Sequence, residues 1–522
     1  MRSQTTARLL LALLALSGAL LPALTGGCTF KDVRGLHRVE VPAGDLKRAQ
    51  RRSDVLAAHL RDGGVVLFSS WSVDDSIRTV AGTGRRLDPD RRPVAGESHV
   101  VSLDSVALFE SRRTDVPAAL APITLVTAAS ISLSVYCLWN PKACFGSCPT
   151  FYAHVGDRQT LVAEGFSASV APALEYDDLD ALDLVHVNGP RFTLTMTNEA
   201  LETHVVRRAD LLLVPRAGDE RVVADESGTL WATRDWLAPD AARDEAGDCR
   251  DALAARDAGE RTSLADSTDL ASSEFVTLSF ARAPPGDRAL VIVARQSLLS
   301  TYVFYQTLAW MGRSAGRWLA SLASADTSLT RRIEGPARAL GPIEVQVLQD
   351  GRWVAAGRFH ETGPLAWDSR LVPLPAGPAG PLDVRLRLTR GMWRMDQVAL
   401  VTVAGRREVQ RIRPAAVLRR GHPDPAALAS LLTGTPPLVT SPGDTLAIEY
   451  EFPPGLLSAE AFLETRGYYL EWMREAWIAE ENPERLAQLL LDPAGALRRM
   501  APEYKRLEPE MERSFWGSRY AR

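Results

Sequence analysis

Short stretches in which apolar and polar residues alternate recur along most of this chain, and they constrain its fold more than any other feature. Phe192, Leu194 and Met196 alternate with polar neighbours, and the same alternation returns at 384–389 and 446–450. Successive side chains of a β-strand point to opposite faces, so a period of two indicates a strand with one buried face. Glycine and proline turns separate the stretches. The pattern predicts a mainly β (α+β) fold with an antiparallel β-sandwich in its central and C-terminal parts.

Helical patterns complete this secondary-structure prediction. Apolar residues between Phe304 and Leu322 recur at steps of three and four, which predicts an amphipathic helix packed on a sheet. From Leu470 onward the pattern is helical again, with Pro483 and Pro493 at helix starts. Further strands are predicted at 151–164 (a hairpin), 205–214 (the partner of 191–197), 274–280, 288–294, 343–347 and 393–400.

The first 28 residues have the layout of an export signal. Arg2 and Arg8 flank the start of an apolar run from Leu9 to Leu24, and Thr25-Gly-Gly-Cys28 follows. This is the arrangement of a secretory signal peptide and not of a transmembrane span. It resembles the bacterial lipoprotein signal, which implies cleavage before Cys28 and lipidation of that residue, although Thr25 stands where that signal prefers an aliphatic residue. The alternative is a plain signal peptide with an unmodified Cys28.

Four further cysteines remain in the exported chain. Cys137, Cys144 and Cys148 lie within twelve residues, and Cys249 follows at a distance. Outside the cytoplasm an even number of cysteines predicts one or two disulfides, and four cysteines allow three pairings. A zinc site is the rival, but the cysteines are accompanied by no Cys-x-x-Cys pair and no closely spaced histidine pair.

Several short motifs resemble an uncharacterised family of bacterial secreted or lipid-anchored envelope proteins. They are Cys-Phe-Gly-Ser-Cys-Pro-Thr-Phe-Tyr at 144–152, Ala-Glu-Gly-Phe at 163–166, Thr-Asn-Glu at 197–199 and Arg-Gly-Tyr-Tyr at 466–469. The resemblance covers most of the mature chain. It implies an envelope location and no particular activity.

Seven regions follow from these patterns. They are a signal peptide (1–27), a tether (28–52), a small β-module that resembles SH3-like or Sm-like barrels (53–115), an apolar segment (116–141), a Cys-rich β-module with an acidic insertion at 217–273 (142–273), a β-sandwich that resembles galactose-binding jelly rolls and contains the amphipathic helix (274–455), and a C-terminal strand with a helical tail (456–522).

The apolar segment has 26 residues without a charge, which is long enough to span a bilayer. Serine and threonine recur through it, and Pro117 and Pro122 interrupt its start. We therefore favour a buried or membrane-surface helix over a transmembrane span.

Composition argues against several classes of ligand. The formal net charge is −4, so nothing indicates a nucleic-acid partner. The eight histidines are scattered without a metal-binding spacing, and no cofactor is expected. Asp177, Asp178, Asp180 and Asp183 lack the glycine and terminal glutamate of an EF-hand loop, so a solvated acidic loop is favoured over a calcium site.

One motif indicates an enzyme. Gly312-Arg-Ser314-Ala-Gly316 matches Gly-x-Ser-x-Gly, and Asp396 and His422 follow in the order of serine hydrolases. The nucleophile elbow needs this motif on a turn directly after a strand, whereas here it lies inside a helical pattern. Close approach of a helix to a sheet is the favoured explanation of its two glycines.

The sequence thus predicts an envelope lipoprotein with a non-catalytic binding or scaffolding ectodomain, attached to the membrane through Cys28. Thr29 after the lipidated cysteine favours the periplasmic face of the outer membrane. A protein or a glycan is the expected partner, and Tyr468, Tyr469 and Trp472 are candidates for a groove, with core packing as their commoner role. The alternative function is a periplasmic serine hydrolase that uses Ser314.

Overall fold

The computed structural model describes three stretches of the chain. They are 36–114 with gaps at 42–45, 52–55, 61–63 and 88–92, then 148–315 with gaps at 157, 171, 184–189, 201 and 313–314, and finally 339–518 with gaps at 361–362, 442, 453–458 and 472–479.

Strands dominate these stretches, as predicted. The N-terminal stretch contains β1 (Leu36–Val41), α1 (Leu46–Gln50), β2 (Leu56–Leu60), β3 (Val65–Asp74), β4 (Thr79–Leu87), β5 (Pro93–Val94), β6 (Ser98–Ser102) and β7 (Val106–Thr114). The middle stretch contains β8 (Thr150–Val155), β9 (Arg158–Glu164), β10 (Tyr176–Ala181), β11 (Arg191–Thr197), β12 (Glu202–Pro215), β13 (Arg221–Asp225), β14 (Leu230–Leu237), β15 (Ala241–Asp244), β16 (Gly247–Asp248), α2 (Asp251–Ala254), β17 (Ser273–Ala283), β18 (Gly286–Gln296) and α3 (Leu298–Met311). The last stretch contains β19 (Ile343–Gln349), β20 (Arg352–Phe359), β21 (Asp368–Gly377), β22 (Gly380–Thr389), β23 (Trp393–Arg406), β24 (Gln410–Ile412), β25 (Ala416–Arg419), β26 (His422–Pro423), α4 (Pro425–Thr433), β27 (Leu438–Thr440), β28 (Thr445–Glu451), β29 (Ala459–Glu471), α5 (Pro483–Leu491) and α6 (Pro493–Ser518).

The N-terminal module is one antiparallel sheet in the order β1-β7-β2-β3-β4-β5, with β6 also paired to β4. Strands β2 and β3 form a hairpin, because they pair from His59 opposite Val65. Across the described residues the sheet is open, whereas the likeness to SH3 and Sm barrels implies a closed one. The predicted tether is partly wrong, since β1 pairs with β7 and Leu46 of α1 is buried in the core of this module.

The predicted β-sandwich is formed by a sheet and a closed barrel. The sheet has the order β16-β15-β17-β22-β19-β20, and the barrel has the order β13-β14-β23-β18-β21. Alternate residues of both contribute to one shared core, among them Val276, Val384, Ile292 and Leu400. The turn at Pro284 connects β17 of the sheet to β18 of the barrel, so these two consecutive strands pair with other strands and not with each other.

The region expected to be an acidic insertion contributes four strands to this sandwich. β13 and β14 belong to the barrel, and β15 and β16 belong to the sheet. The sequence pattern did not predict these strands, for a physical reason. Val222 of β13 packs outside the barrel while Val223 packs inside it, so both faces are buried and the period of two disappears.

A second pair of sheets holds the Cys-rich region. One has the order β10-β29-β12-β24 with β27 also paired to β12, and the other has the order β26-β25-β28-β11-β8-β9. The predicted pairing of 191–197 with 205–214 is wrong, because β11 pairs with β8 and β28 while β12 pairs with β29. Strand β28 is the predicted strand at 446–450.

Helix α3 connects the two cores. Its Leu298, Tyr302 and Trp310 pack in the core of the sandwich, while Tyr305 and Leu308 pack in the core between the second pair of sheets. The helix is therefore buried on more than the single face that an amphipathic helix would bury. The glycine after its last residue, Gly312, ends it with a positive φ of 52°.

The C-terminal helices are present as predicted, and they dock on the sandwich. Pro483 and Pro493 occupy the first positions of α5 and α6. Leu497 and Tyr504 are buried in the core of the sandwich, and the ring of Tyr504 lies 4.9 Å from that of Tyr302. The apolar segment at 116–141 lies outside the described residues, and no helix among those described is long and apolar enough to cross a membrane.

Candidate functional site

Two groups of side chains stand out from the rest of the fold. The first lies on the outward side of the sandwich sheet, and we call it the arginine–aromatic face; the second is buried, and we call it the Cys148 centre. The face consists of Phe275, Glu344, Gln346, Trp353, Arg358, Arg385 and Arg387, while the centre consists of Cys148, Glu164, Glu202 and His204.

The arginine–aromatic face is built by the same alternation that builds the core. Val276, Leu386 and Val345 point inward and are buried. Their neighbours therefore point outward, and the register aligns Phe275 with Arg387 and Arg387 with Glu344 across three adjacent strands.

Arg385 occupies the middle of this face. Its Cζ lies 4.5 Å from the ring centroid of Phe275 and 4.6 Å from that of Trp353, so one guanidinium contacts two aromatic rings. Cation–π contacts of this kind contribute about 0.5–1 kcal/mol each at exposed sites. Phe275 is 37% exposed, so part of its ring is accessible from solvent on this face.

A chain of polar contacts continues from Arg385 along the face. Its Nε and Nη2 donate to Oε1 of Gln346 at 2.9 and 2.6 Å, and Nε2 of Gln346 donates to Oε1 of Glu344 at 2.6 Å. Arg387 lies 3.6 Å from Glu344 and is half exposed. The rings and the guanidinium groups are thus held in place before any ligand arrives, which lowers the entropy cost of binding.

The Cys148 centre lies where the hairpin of β8 and β9 meets β12 and the sandwich. The backbone φ of Cys148 is +86°, a value that non-glycine residues rarely adopt. In that conformation its N–H donates to Oε1 of Glu202 at 2.5 Å, and its Sγ–H donates to Oε1 of Glu164 at 3.0 Å. His204 Nε2 contacts the same Glu202 oxygen at 2.7 Å.

The electrostatics of this centre oppose nucleophilic chemistry. Burial and the neighbouring carboxylates Glu164, Glu202 and Asp178 raise the pKa of the Cys148 thiol well above its usual value. Reactive cysteines have lowered pKa values and sit in partly exposed, electropositive surroundings. Cys148 is buried and surrounded by acidic groups, so it is held as a thiol.

Glu164 connects the hairpin to the sandwich. Its Oε2 accepts hydrogen bonds from the N–H groups of Leu365 and Ala366 at 2.7 and 3.2 Å. Burial raises the pKa of Glu164 to about 7, although these bonds and that of Cys148 oppose the shift. Burial also lowers the pKa of His204 to about 3, so its neutral ring donates to Glu202.

The motifs that carry the family resemblance meet around this centre. A Cβ on Gly467 would lie 2.3 Å from the carbonyl oxygen of Val205 and 2.9 Å from Phe166, and Phe166 itself has a positive φ of 39°. Oγ1 of Thr150 and Oγ1 of Thr197 are 2.6 Å apart. These motifs thus join β8, β9, β11, β12 and β29 through buried contacts, which is a structural role.

Only part of the predicted disulfide set lies in the described chain. Cys148 and Cys249 are free thiols there, so they are not bonded to each other. Cys28, Cys137 and Cys144 lie outside the described residues, and their roles stay predictions.

The four aspartates at 177–183 are tied into the fold. Asp178 accepts from the N–H groups of Phe166 and Leu179, and Asp183 contacts Arg256. Asp180 is buried and not solvated, which corrects the expectation of a solvated loop. Among the described residues, no group of histidine, cysteine and acidic side chains is suited to hold a metal ion.

The candidate hydrolase residues are not brought together by the described structure. Ser314 lies outside it, Asp396 is buried on β23 of the barrel, and His422 is exposed on β26 in another sheet. Of the groove candidates, Tyr468 and Tyr469 are buried, as the core-packing explanation predicts, and Trp472 lies outside the described residues.

The arginine–aromatic face was not singled out in the sequence. Its signal is present in part, because Arg385 and Arg387 alternate with buried apolar residues along one strand. The aromatic rings come from Phe275 and Trp353 on two other strands, and only the pairing of those strands places them beside Arg385.

Comparisons with known proteins leave the family open. No family model matches the chain, and no curated protein matches it. Among solved structures it is similar to a GH31 alpha-xylosidase from Xanthomonas citri, with 10% identity over 83% of this chain and 38% of the length of that enzyme. The TM-score is 0.15, a value at which the likeness carries no argument.

Proposed function

We propose that this chain is an envelope lipoprotein whose β-rich ectodomain binds a partner without catalysis, through the arginine–aromatic face. The observation that carries the proposal is the Phe275–Arg385–Trp353 arrangement, which is ordered and partly exposed. A rigid arrangement of these three side chains on a solvent-facing sheet adds nothing to the core beneath it, whereas it suits a binding surface.

The distribution of perturbed groups supports a non-catalytic role. The strongly shifted groups of the centre, Cys148, Glu164 and His204, are all buried. A general acid or base must reach its substrate at hydrogen-bond distance. Each of these groups instead forms a hydrogen bond to another residue of the protein. Packing of the fold therefore accounts for their burial, without a substrate.

In-cell photocrosslinking tests the binding face directly. The photoreactive residue p-benzoylphenylalanine replaces Ala355, which is exposed and lies opposite Gln346 in the sheet. We expect an adduct of higher mass after irradiation, and its loss when Trp353→Ala is added. The same probe at Leu491, which is 84% exposed on α5, is the control and should give no such adduct. A second probe replaces Leu348, which lies opposite Trp353 in the sheet. Absence of an adduct from both 355 and 348 would overturn the proposal.

The lipid anchor is a separate part of the proposal, supported by the signal at residues 1–28. Intact-mass measurement of the purified protein should show loss of residues 1–27 and an added acyl mass on Cys28. The Cys28→Ser variant should keep neither the acyl mass nor the membrane attachment. An unprocessed chain would refute the anchor and leave the binding face to be tested by the crosslink.

A further inference from the structure

We propose that the partner of the arginine–aromatic face is an anionic glycan, whose sugar ring stacks on Trp353 while its acid group binds Arg387 and Arg385. The inference rests on the proposed function and names the class of ligand. Carboxylated and phosphorylated sugars share this chemistry, and the experiment below distinguishes them.

The aromatic rings supply the stacking surface. One face of a pyranose ring is rich in C–H groups and packs on an aromatic ring, while the hydroxyl groups at its edge need polar partners. Arg385 lies against Phe275 and Trp353, so each ring is fixed in orientation. The amide of Gln346 and the carboxylate of Glu344 lie on the same face as these rings and can bond hydroxyl groups.

The charges on the face favour an acidic ligand. Outward positions of the paired strands carry four arginines, Arg243, Arg358, Arg385 and Arg387, against three carboxylates, Asp248, Glu344 and Asp383. Asp383 accepts from Oγ of Ser279 at 2.7 Å and Glu344 accepts from Nε2 of Gln346, so neighbouring side chains fix the positions of these two carboxylates. Guanidinium groups bind carboxylate and phosphate oxygens in a bidentate manner.

A glycan fits this surface better than a protein does. A specific protein interface buries roughly 800 Å² on each partner, and its centre is depleted of acidic residues and lysine. Here the carboxylates Asp383 and Glu344 lie on the strands around the central guanidinium, and the apolar outward residues Leu348 and Ala355 lie toward the edge of the sheet. A glycan is a chain of small polar sugar units, and such units match a surface that is both charged and aromatic.

Binding of matched sugars to the full-length protein in detergent tests the inference. The first pair of probes is an oligogalacturonate and its methyl ester, and the second is a phosphorylated dextrin and the unmodified dextrin. We expect one acid to bind about tenfold or more tightly than its neutral counterpart at low salt. The preference should shrink as salt is raised, because mobile ions screen the exposed arginines.

Three variants separate stacking from charge. Trp353→Ala should weaken the binding of both the acid and its neutral counterpart by about tenfold or more. Arg387→Gln should remove the preference for the acid and leave the neutral sugar unchanged. Trp231→Ala is the matched control, because this tryptophan also contacts an arginine but lies on the barrel, where its ring centroid is 5.0 Å from Cζ of Arg406. This variant should change the binding of neither sugar.

The possible outcomes test the anionic-glycan inference separately from the proposed binding function. If neither acid binds more tightly than its neutral counterpart, or if Trp353→Ala leaves binding intact, the anionic-glycan inference is overturned. A crosslink at 355 would then still support the binding face with another partner. If no crosslink forms at 355 or 348 either, the proposed function fails as well.

Discussion

Glu164 and Cys148 show how burial sets the properties of single residues. Glu164 stays among apolar neighbours because the N–H groups of Leu365 and Ala366 and the thiol of Cys148 donate to it. Buried polar groups are tolerated when hydrogen bonds replace the lost water. Burial at this position raises the pKa of Glu164 to about 7, because it favours the protonated form.

This raised pKa predicts how Glu164 changes stability with pH. Its contribution is fully present below the unfolded pKa of 4.5 and is lost as pH rises through about 7. The shift corresponds to about 3 kcal/mol in the free energy of unfolding. Glu164→Gln removes the titrating group, so the variant should gain stability relative to the wild type between pH 5 and pH 8.

Urea unfolding of both proteins across this range measures the effect. His204 is present in both proteins and does not contribute to the difference between the two curves, which reports Glu164 together with its electrostatic interaction with Asp178. A difference that stays constant with pH would contradict the prediction.

At the scale of elements, close backbone contacts hold the strands of the Cys148 centre together. Gly467 lies on β29, where its backbone approaches Val205 of β12 and the ring of Phe166. A side chain at this position would meet a backbone carbonyl that cannot turn away. The Arg-Gly-Tyr-Tyr motif therefore needs its glycine for packing.

Gly467→Ala should destabilise the protein by about 1–3 kcal/mol, the usual cost of overpacking a core. Gly218→Ala is the control, because a Cβ there would meet no atom within 4 Å and its backbone has no positive φ. Thermal or urea unfolding measures both variants. Equal stability of the two would show that β29 and β12 can move apart without cost.

At the scale of the whole molecule, the C-terminal helix completes the core of the sandwich. Glu512 of α6 accepts from the N–H of Leu298 at 2.9 Å, at the N-terminus of α3, where a negative charge is stabilising. Glu508 accepts from the N–H of Ala265 at 2.6 Å. The last helix thus joins α3 and the loop before β17.

Leu497→Ala should destabilise the whole protein by about 2–5 kcal/mol, because Leu497 is fully buried in the sandwich core. Leu491→Ala, the same change on the neighbouring helix, should cost less than about 0.5 kcal/mol because Leu491 is 84% exposed. Unfolding monitored by tryptophan fluorescence compares them. A small effect of both would mean that α6 docks without supporting the core.

The sequence by itself determined the strands that have one buried face, because the period of two depends only on neighbouring residues. It predicted the strands around Leu194, Val384 and Ile448 and the helix starts at Pro483 and Pro493. It also carried the export signal at Cys28, which remains a prediction.

Only the tertiary structure decided which strands pair and what each side chain contacts. Leu194 pairs opposite Ile448, more than 200 residues away, because burial of whole sheets selects the partner and not proximity along the chain. The same long-range pairing surrounds Cys148 with carboxylates and places Phe275 and Trp353 against Arg385. The local sequence shows at most one strand of either arrangement, since each combines residues from several distant strands.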